Sequence, residues 1–578
     1  MKFASTSLLP LLTSPLGLLH AMAHRTSTST QLLRRQLPSS ASLTLPTSRH
    51  AMPRSRRSRA RSRTKSARGI SGVEYPFYDG PVAQPGSLYE RLQLEELVEF
   101  DKNESTAIYA LAQASRFDTF ADYDAFYTSA SAYFPKPMSA DISDESFGYQ
   151  RTTTKDFTVR VFNSATDTLP SDASLAVAGN LTTICGKQAM SLASLVKSNK
   201  LYVSDFSDFA KWTQPSESGK FMASVVDSFC YNEGRKLLLP LVIRVVDTNL
   251  TYTPFDNPDD WTLAKMVLDT ADVNFQQEQH LADIHAISIP LRVEIFRNLA
   301  ATYPASALLT RTNHIDFALE KRAGVGLFNT STAWDMAFGW GAVGCLNFIV
   351  HQLESASIAF DFEADITSRG LRHLPVHKHA TYGKLYNAVL TRSVGKFVDV
   401  FCASDNAVAA DVELQNWTTS CAAVMQLHGF PASFTSKRAL TKLLVHLMFQ
   451  TAVRHHAMNG VITWETISVP HSNPALWKSL PTTKLTANET RNVLEYSTPP
   501  SFLVALAAKL DHAMLESESI ATIFHTPEFA QEPKLKNAIR EFDEALQAID
   551  AIILAHEEDG KRPYLQLRPS MLSRYGWI

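Results

Sequence analysis

Cysteine is scarce in this sequence. Five stand in 578 residues, at positions 185, 230, 345, 402 and 421. No CxxC pair and no zinc-type spacing occurs, which excludes a zinc ribbon or a dithiol redox motif. An odd count leaves at least one free thiol in a monomer, and five are too few for a disulfide-built scaffold. Charge of either sign is also not in excess. Fifty-five Lys and Arg against 57 Asp and Glu leave a net of −2. No global field therefore argues for nucleic acid or an anionic membrane as partner. The apolar run at 8–23, LLPLLTSPLGLLHAMA, is too short to span a bilayer. After residue 84 there is no internal repeat and no Pro/Gly-rich linker, so nothing divides the chain.

Hydrophobic residues make up 45% and charged residues 19%, the mix of a well-packed globular protein. At the N-terminus Lys2 precedes the apolar run, and Ala21-Met22-Ala23 offers a small-x-small cleavage site. Residues 1–23 read as a signal peptide. Residues 24–74 read as a disordered basic segment, Ser- and Arg-rich, peaking in RSRRSRARSRTKSAR at 54–68. The rival reading is a mitochondrial transit peptide, which has the same composition. Sequons begin at Asn103, Asn180, Asn249, Asn329, Asn416 and Asn488. They favour secretion and predict surface loops. From residue 75 to 578 the pattern predicts one large, mainly α domain with a few short β-strands. Helical spacing is clear at 86–100, 174–197, 500–517 and 535–556. KLLLPLVIRVV at 236–246 reads as a strand, and VITWETISV at 461–469 as extended or irregular.

The chain is organised around Trp261–His285, WTLAKMVLDTADVNFQQEQHLADIH. Leu263, Met266, Val267 and Ala271 recur at helical spacing, and His280 and His285 close the stretch. Five steps on an α-helix leave two side chains about 140° apart, too far to share an ion. A π-bulge would rotate them together. The spacing is thus either accidental or a metal site on a distorted helix. A second apolar run, 443–460, reads as a buried helix carrying His455 and Asn459 at i, i+4. The neighbouring His456 sits i, i+3 from Asn459. The chain closes on Ile578 with a free carboxylate. Three imidazoles, an amide oxygen and a carboxylate suit iron or manganese better than a thiolate site would. Gln276, a turn before His280, could support a ligand or the substrate channel by hydrogen bonding. His446 reads as a helix-face or core residue, and His314, His373, His377 and His379 as loop residues without a role. HLADIH has no glutamate beside its first histidine, unlike zinc hydrolases of the HExxH type.

WTLAK, HLADIH, RHHAMN and the terminal isoleucine, in this order, resemble a lipoxygenase. NKLYVSDFSDF (199–209), YPASALLTRTNHIDFALEKRAGVGLFN (303–329), DFEADITSRGL (361–371), SDNAVAADVELQNW (404–417) and PYLQLRPS (563–570) carry the resemblance over roughly residues 80–578. The size leaves no room for an N-terminal β-sandwich, which is similar to the fungal branch. The resemblance implies dioxygenation of a polyunsaturated fatty acid with a 1,4-pentadiene, of the linoleate type, to a hydroperoxide. It implies one non-haem iron, with manganese as the alternative, held by His280, His285, His455, Asn459 and the Ile578 carboxylate, and no catalytic side chain beyond the metal-borne hydroxide. It also implies Ala323, Leu327 and Leu510 as pocket residues. The family's glutamine seven residues after the third histidine is replaced by Ile462. The expected partners are the fatty acid and O2, with transient membrane-surface contact, and the expected state is a monomer. The alternatives are a hydroperoxide-converting enzyme on the same scaffold and a silent lipid-binding homologue.

Overall fold

The computed structural model describes residues 106–576, apart from 109, 131–142, 178, 188–190, 215–218, 314–327, 330–331, 356–360, 460–467, 501–517 and 558–562. Near the N-terminus it also describes a two-residue pairing of Ala67–Arg68 with Glu74–Tyr75. The expectations for 1–23, 86–100, 461–467 and 501–517 lie outside the described residues.

The first layer is an antiparallel meander of five strands: β1 (Arg160–Val161), β2 (Leu201–Phe206), β3 (Val225–Asn232), β4 (Leu237–Val245) and β5 (Leu250–Tyr252). Leu201 faces Cys230 and Val225 faces Val245 in the registers. The pairing slips between Ser228 and Phe229, opposite Pro240, which has no N–H to give to the ladder. Both faces of the sheet are covered, so β4 reads as an almost continuous apolar run. Tyr202, Phe206, Leu238 and Ile243 face the main core. Leu201, Val203, Leu239 and Leu241 face a smaller cluster with Leu181, Ile184 and Leu195. Cys185 and Cys230 close this smaller cluster with a disulfide spanning 45 residues. Chain entropy alone makes such a loop closure worth roughly 4 kcal/mol. Cys345, Cys402 and Cys421 remain free thiols. The few short strands expected from the sequence thus join in one sheet, with the strand read at 236–246 as its β4.

Helices build the rest. The described residues used below are α1 (Asp144–Gln150), α2 (Pro258–His280), α3 (Ala286–Asn298), α4 (Gly341–Ser355), α5 (Lys378–Phe401), α6 (Val412–Ala422), α7 (Lys437–Met448), α8 (His455–Asn459) and α9 (Lys536–Glu557). Helix α1 lies directly on β4. A Cβ on Gly148 would meet the Leu238 carbonyl oxygen at 1.9 Å, so only glycine permits the approach. Helix α5 packs on α7 and α9, and α3 on α6.

Two expectations are corrected here. The stretch 174–197 is not one helix. It breaks into Ala173–Ala176, Asn180–Cys185 and Leu192–Lys197. Gly179 and Gly186, at φ +90° and +88°, take left-handed backbone that stops helix propagation. His379 is not a loop residue but lies in the first turn of α5, and His377 stands just before it as the N-cap residue. Both are buried at the start of α5, where His377 Nε2 meets Asp156 Oδ2 at 2.7 Å and His379 Nδ1 meets the Tyr564 hydroxyl at 3.2 Å. Burial pushes the Asp156 carboxyl up, but His379, His377 and Arg369 outweigh it and hold the group well below the usual carboxylate range. Among the sequons, Asn249 and Asn488 stand exposed outside helices. Asn416 lies within α6, and Thr418 of that sequon is buried, donating to the Pro431 carbonyl.

Candidate metal centre

Helix α2 begins with strong local signals. The Asn257 side chain caps it by accepting from Asp259 N, Pro258 opens it, and Asp259 and Asp260 sit at its positive end. It is not amphipathic: nearly every residue from Asp260 to His280 is buried. Its buried polar side chains therefore need partners. Arg151, fully enclosed, reaches Asp269 at 2.7 Å and Asp272 at 2.6 Å, and Lys155 reaches Asp269 at 2.9 Å. Lys265 reaches Asp144 at 2.8 Å, and Arg491 reaches Asp260 at 3.1 Å. These ties fix the rotation and height of the helix that carries His280.

At His280 the ladder widens into a π-helix, Leu281–His285, before α3 resumes at Ala286. A turn of about 4.4 residues, rather than 3.6, brings His285 back towards His280. The same device recurs on the second helix, a recurrence that residue spacing did not reveal. Helix α7 ends at Met448, a π-helix runs Phe449–Arg454, and α8 starts on His455. The two wide turns are bonded to each other. Arg454 of one reaches Asp283 of the other at 2.7 Å, and Gln279 Nε2 donates to the same carboxylate at 2.7 Å.

The result is one cluster. The ligating nitrogens of His280, His285 and His455 lie within 4.8 Å of one another. The Nε2 atoms of His285 and His455 are 2.9 Å apart, and the Asn459 amide is 3.0 Å from His280 Nε2. His280, His455 and Asn459 are buried, at 1%, 0% and 3% exposure. Burial lowers the His280 imidazole to about 3, against the opposing pull of the Gln276 and Gln277 carbonyls. It takes His285 well below its ordinary value too. Both rings are thus neutral, with lone pairs free to bind a cation. Two such lone pairs at 2.9 Å repel unless a proton or a cation stands between them. The Asn459 Oδ1 atom is buried without a hydrogen-bond partner among the described residues. Neutral imidazoles, an orphaned amide oxygen and no thiolate fit iron or manganese.

The other sequence-derived site residues fall as follows. His456 is turned away, its Nδ1 on the Ala452 carbonyl at 2.9 Å, so it serves its own helix. Gln276 does not hydrogen-bond an imidazole. Its Nε2 donates to the Thr154 carbonyl at 2.9 Å instead, although its backbone carbonyl, one turn before His280, does face that ring. Ala323, Leu327, Leu510 and Ile578 lie outside the described residues. The chain just before the end does reach the cluster. A Cβ on Gly576 would stand 3.4 Å from His455 Cδ2 and 3.6 Å from His285 Cε1. The preceding Tyr575 hydroxyl donates to Glu518 at 2.5 Å and anchors that approach. Beside His280, burial pushes the Glu278 carboxyl up to about 8, so it is neutral at pH 7 and accepts from Trp334 Nε1.

A helical body with a buried three-histidine, one-asparagine centre on two π-distorted helices is the architecture of a lipoxygenase catalytic domain. The solved structure of a manganese lipoxygenase superposes with a TM-score of 0.75 at 22% identity, covering 84% of this chain and 91% of that one. A coral 8R-lipoxygenase superposes at 0.70 and 21% identity, covering 82% and 75%. In sequence, the chain is 30% identical over 357 residues to manganese lipoxygenase of Colletotrichum gloeosporioides, covering 59% of this chain and 57% of the relative. It is 30% identical over 374 residues to that of Gaeumannomyces tritici, covering 61% and 59%. The mouse polyunsaturated fatty acid lipoxygenase ALOX12 matches at 27%, covering 58% and 52%. The matched region spans less than two thirds of these curated relatives. No family model matches. The chain thus resembles lipoxygenases, the fungal manganese enzymes among them, in sequence, and it shares the fold of solved lipoxygenase structures.

Proposed function

We propose that this chain is a non-haem metal dioxygenase that inserts O2 into a polyunsaturated fatty acid with a 1,4-pentadiene, giving a hydroperoxide. The observation that carries the reading is the convergence of His280, His285, His455 and Asn459 on one enclosed point. These four side chains would hold the metal, and the Ile578 carboxylate would complete the set where Gly576 leads the chain in. When bound, the metal supplies the one-electron oxidation that loosens a bis-allylic hydrogen. The protein's part is to keep the imidazoles neutral by burial, to fix them through the Asp283–Arg454 tie, and to exclude water. Iron and manganese both suit these donors. The H-x4-H spacing resembles iron enzymes, and the similarity to fungal manganese lipoxygenases weighs for manganese. The disulfide and the exposed sequons at Asn249 and Asn488 support secretion, and the substrate partners are fatty acid and O2 for a monomer.

The test is elemental analysis of the purified chain joined to oxygen uptake on linoleate. One equivalent of iron or manganese and formation of conjugated-diene hydroperoxide are expected. A metal-loaded protein that consumes no O2 with any 1,4-diene fatty acid would overturn the reading.

A further inference from the structure

Away from the metal centre a cleft of about 520 Å³ runs between α5, α7 and the helix Phe362–Ser368. No metal-centre residue lines it. One wall is a single stripe of α5, at Asn387, Thr391, Gly395 and Asp399, four residues apart. Twelve residues of helix make the stripe about 18 Å long. The facing wall is the outer side of α7, whose opposite side is buried through Leu440, Leu444 and Leu447.

The two ends of the cleft differ. At one end Phe362, Val445 and Phe449 form a buried apolar floor, the two rings 4.8 Å apart. The His446 imidazole also lines this end, and burial lowers it to about 3, so it adds no charge at pH 7. At the other end stand Lys437 and Arg438. Three cations line the cleft against two carboxylates. Lys437 is held by Asp399 at 2.5 Å and Lys442 by Asp361 at 3.0 Å. Arg438 has no ion pair among the described residues and is exposed.

The middle of the cleft is kept open by glycine. In the same helix Gly383 is required, because a Cβ there would meet the Phe362 ring at 2.4 Å. Gly395 has no such need: its Cβ would meet nothing closer than Thr441 Cγ2 at 4.0 Å. A glycine inside a helix destabilises it relative to alanine. Here no close contact demands it, and it leaves the cleft wall without a side chain between the cationic end and the aromatic floor.

We propose that this cleft is a second binding site, separate from the metal pocket, for one long-chain fatty acid. The carboxylate meets Arg438 and the chain passes over Gly395 onto Phe362 and Phe449. Charge complementarity selects an amphipathic monoanion, since a single cation is left over at one end and the other end offers an apolar floor beside the mutually neutralised Lys442–Asp361 pair. Phe449 opens the π-helix that leads to His455, so an occupant touches the segment that positions a metal-centre histidine.

The probe is doxyl-stearate, a saturated spin-labelled fatty acid with no diene to oxidise. It is titrated into the full, metal-loaded chain, and the immobilised fraction is counted by electron paramagnetic resonance. Gly395→Phe and Arg438→Glu are each expected to immobilise one equivalent fewer than wild type. The methyl ester of the probe is expected to fill one equivalent fewer than the acid on wild type and the same number on either variant. Circular dichroism and melting confirm folding, and Gly395→Leu and Arg438→Gln stand in if a first variant fails to fold. Equal stoichiometry in wild type and both variants would overturn the site. Ester binding that is lost in Gly395→Phe would overturn the carboxylate assignment. Oxygen uptake on linoleate, measured on the same sample, reports separately on the proposed reaction.

Discussion

Replacing Arg454 with leucine tests how far the metal centre depends on the tie between its two wide turns. Arg454 and Asp283 are 14% and 13% exposed and meet at 2.7 Å. Removing one partner of a fully buried pair costs about 3–5 kcal/mol. Slight exposure and the remaining Gln279 bond to Asp283 reduce this to roughly 2 kcal/mol. The more telling effect is on the metal. The pair lies outside the ligand set but sets the relative position of His285 and His455, one from each π-helix. Loss of such outer support lowers metal affinity about 10–100-fold, or about 1.4–2.7 kcal/mol. The assay is competition for the metal against a chelator of known affinity, with denaturant unfolding alongside. Arg454→Lys should recover part of the loss, and Arg454→Leu combined with Asp283→Leu should cost less than the sum of the single changes. Unchanged metal affinity in a correctly folded Arg454→Leu would show that the two turns hold their shape independently, and the positioning argument would fall.

Other outcomes follow from the same structure. His280→Ala, His285→Ala and His455→Ala should each lose the metal and oxygen uptake, while His456→Ala should keep the metal by elemental analysis, since that ring bonds Ala452. Arg151→Met should strand the Asp272 carboxylate, leave Asp269 with Lys155 alone, and lower stability by about 3–5 kcal/mol in urea unfolding. Acid should also destabilise the fold through His379, whose imidazole burial lowers to about 4. Between that value and the unfolded one near 6.5, the unfolded chain binds a proton that the folded chain refuses, so stability falls as pH falls. His379→Gln should flatten the slope by up to about 1.4 kcal/mol per pH unit in that window. An unaltered slope would remove His379 from the account. Deleting Ile578 should abolish metal binding. A fully loaded, active deletion variant would exclude the chain end as a ligand.

The ligand cluster was legible in sequence because its signals are local. H-x4-H forces a choice between accident and a distorted helix, and the Leu281–His285 π-helix is that distortion. H-x3-N marks one helical face, and the apolar density around it marks burial. The strand at 237–245 was legible for the same reason: a run buried on both sides is apolar almost throughout, here in all but Arg244. Other features depend on residues far apart in the chain. The π-helix at 449–454 leaves no mark in residue spacing, because the donors His455 and Asn459 both follow it and keep ordinary i, i+4 spacing. Gln276 sits one regular turn from His280, yet the Thr154 carbonyl, over 100 positions away in the chain, takes its side-chain amide. His377 and His379 look like loop polar residues until Asp156, more than 200 positions away, is brought under them. The Asp283–Arg454 and Arg151–Asp269–Asp272 contacts likewise join segments over 100 residues apart. Local chemistry names the donors, since backbone periodicity is short-ranged. Which donors meet, and which charges can be buried beside them, is settled only when distant segments supply the compensating partner.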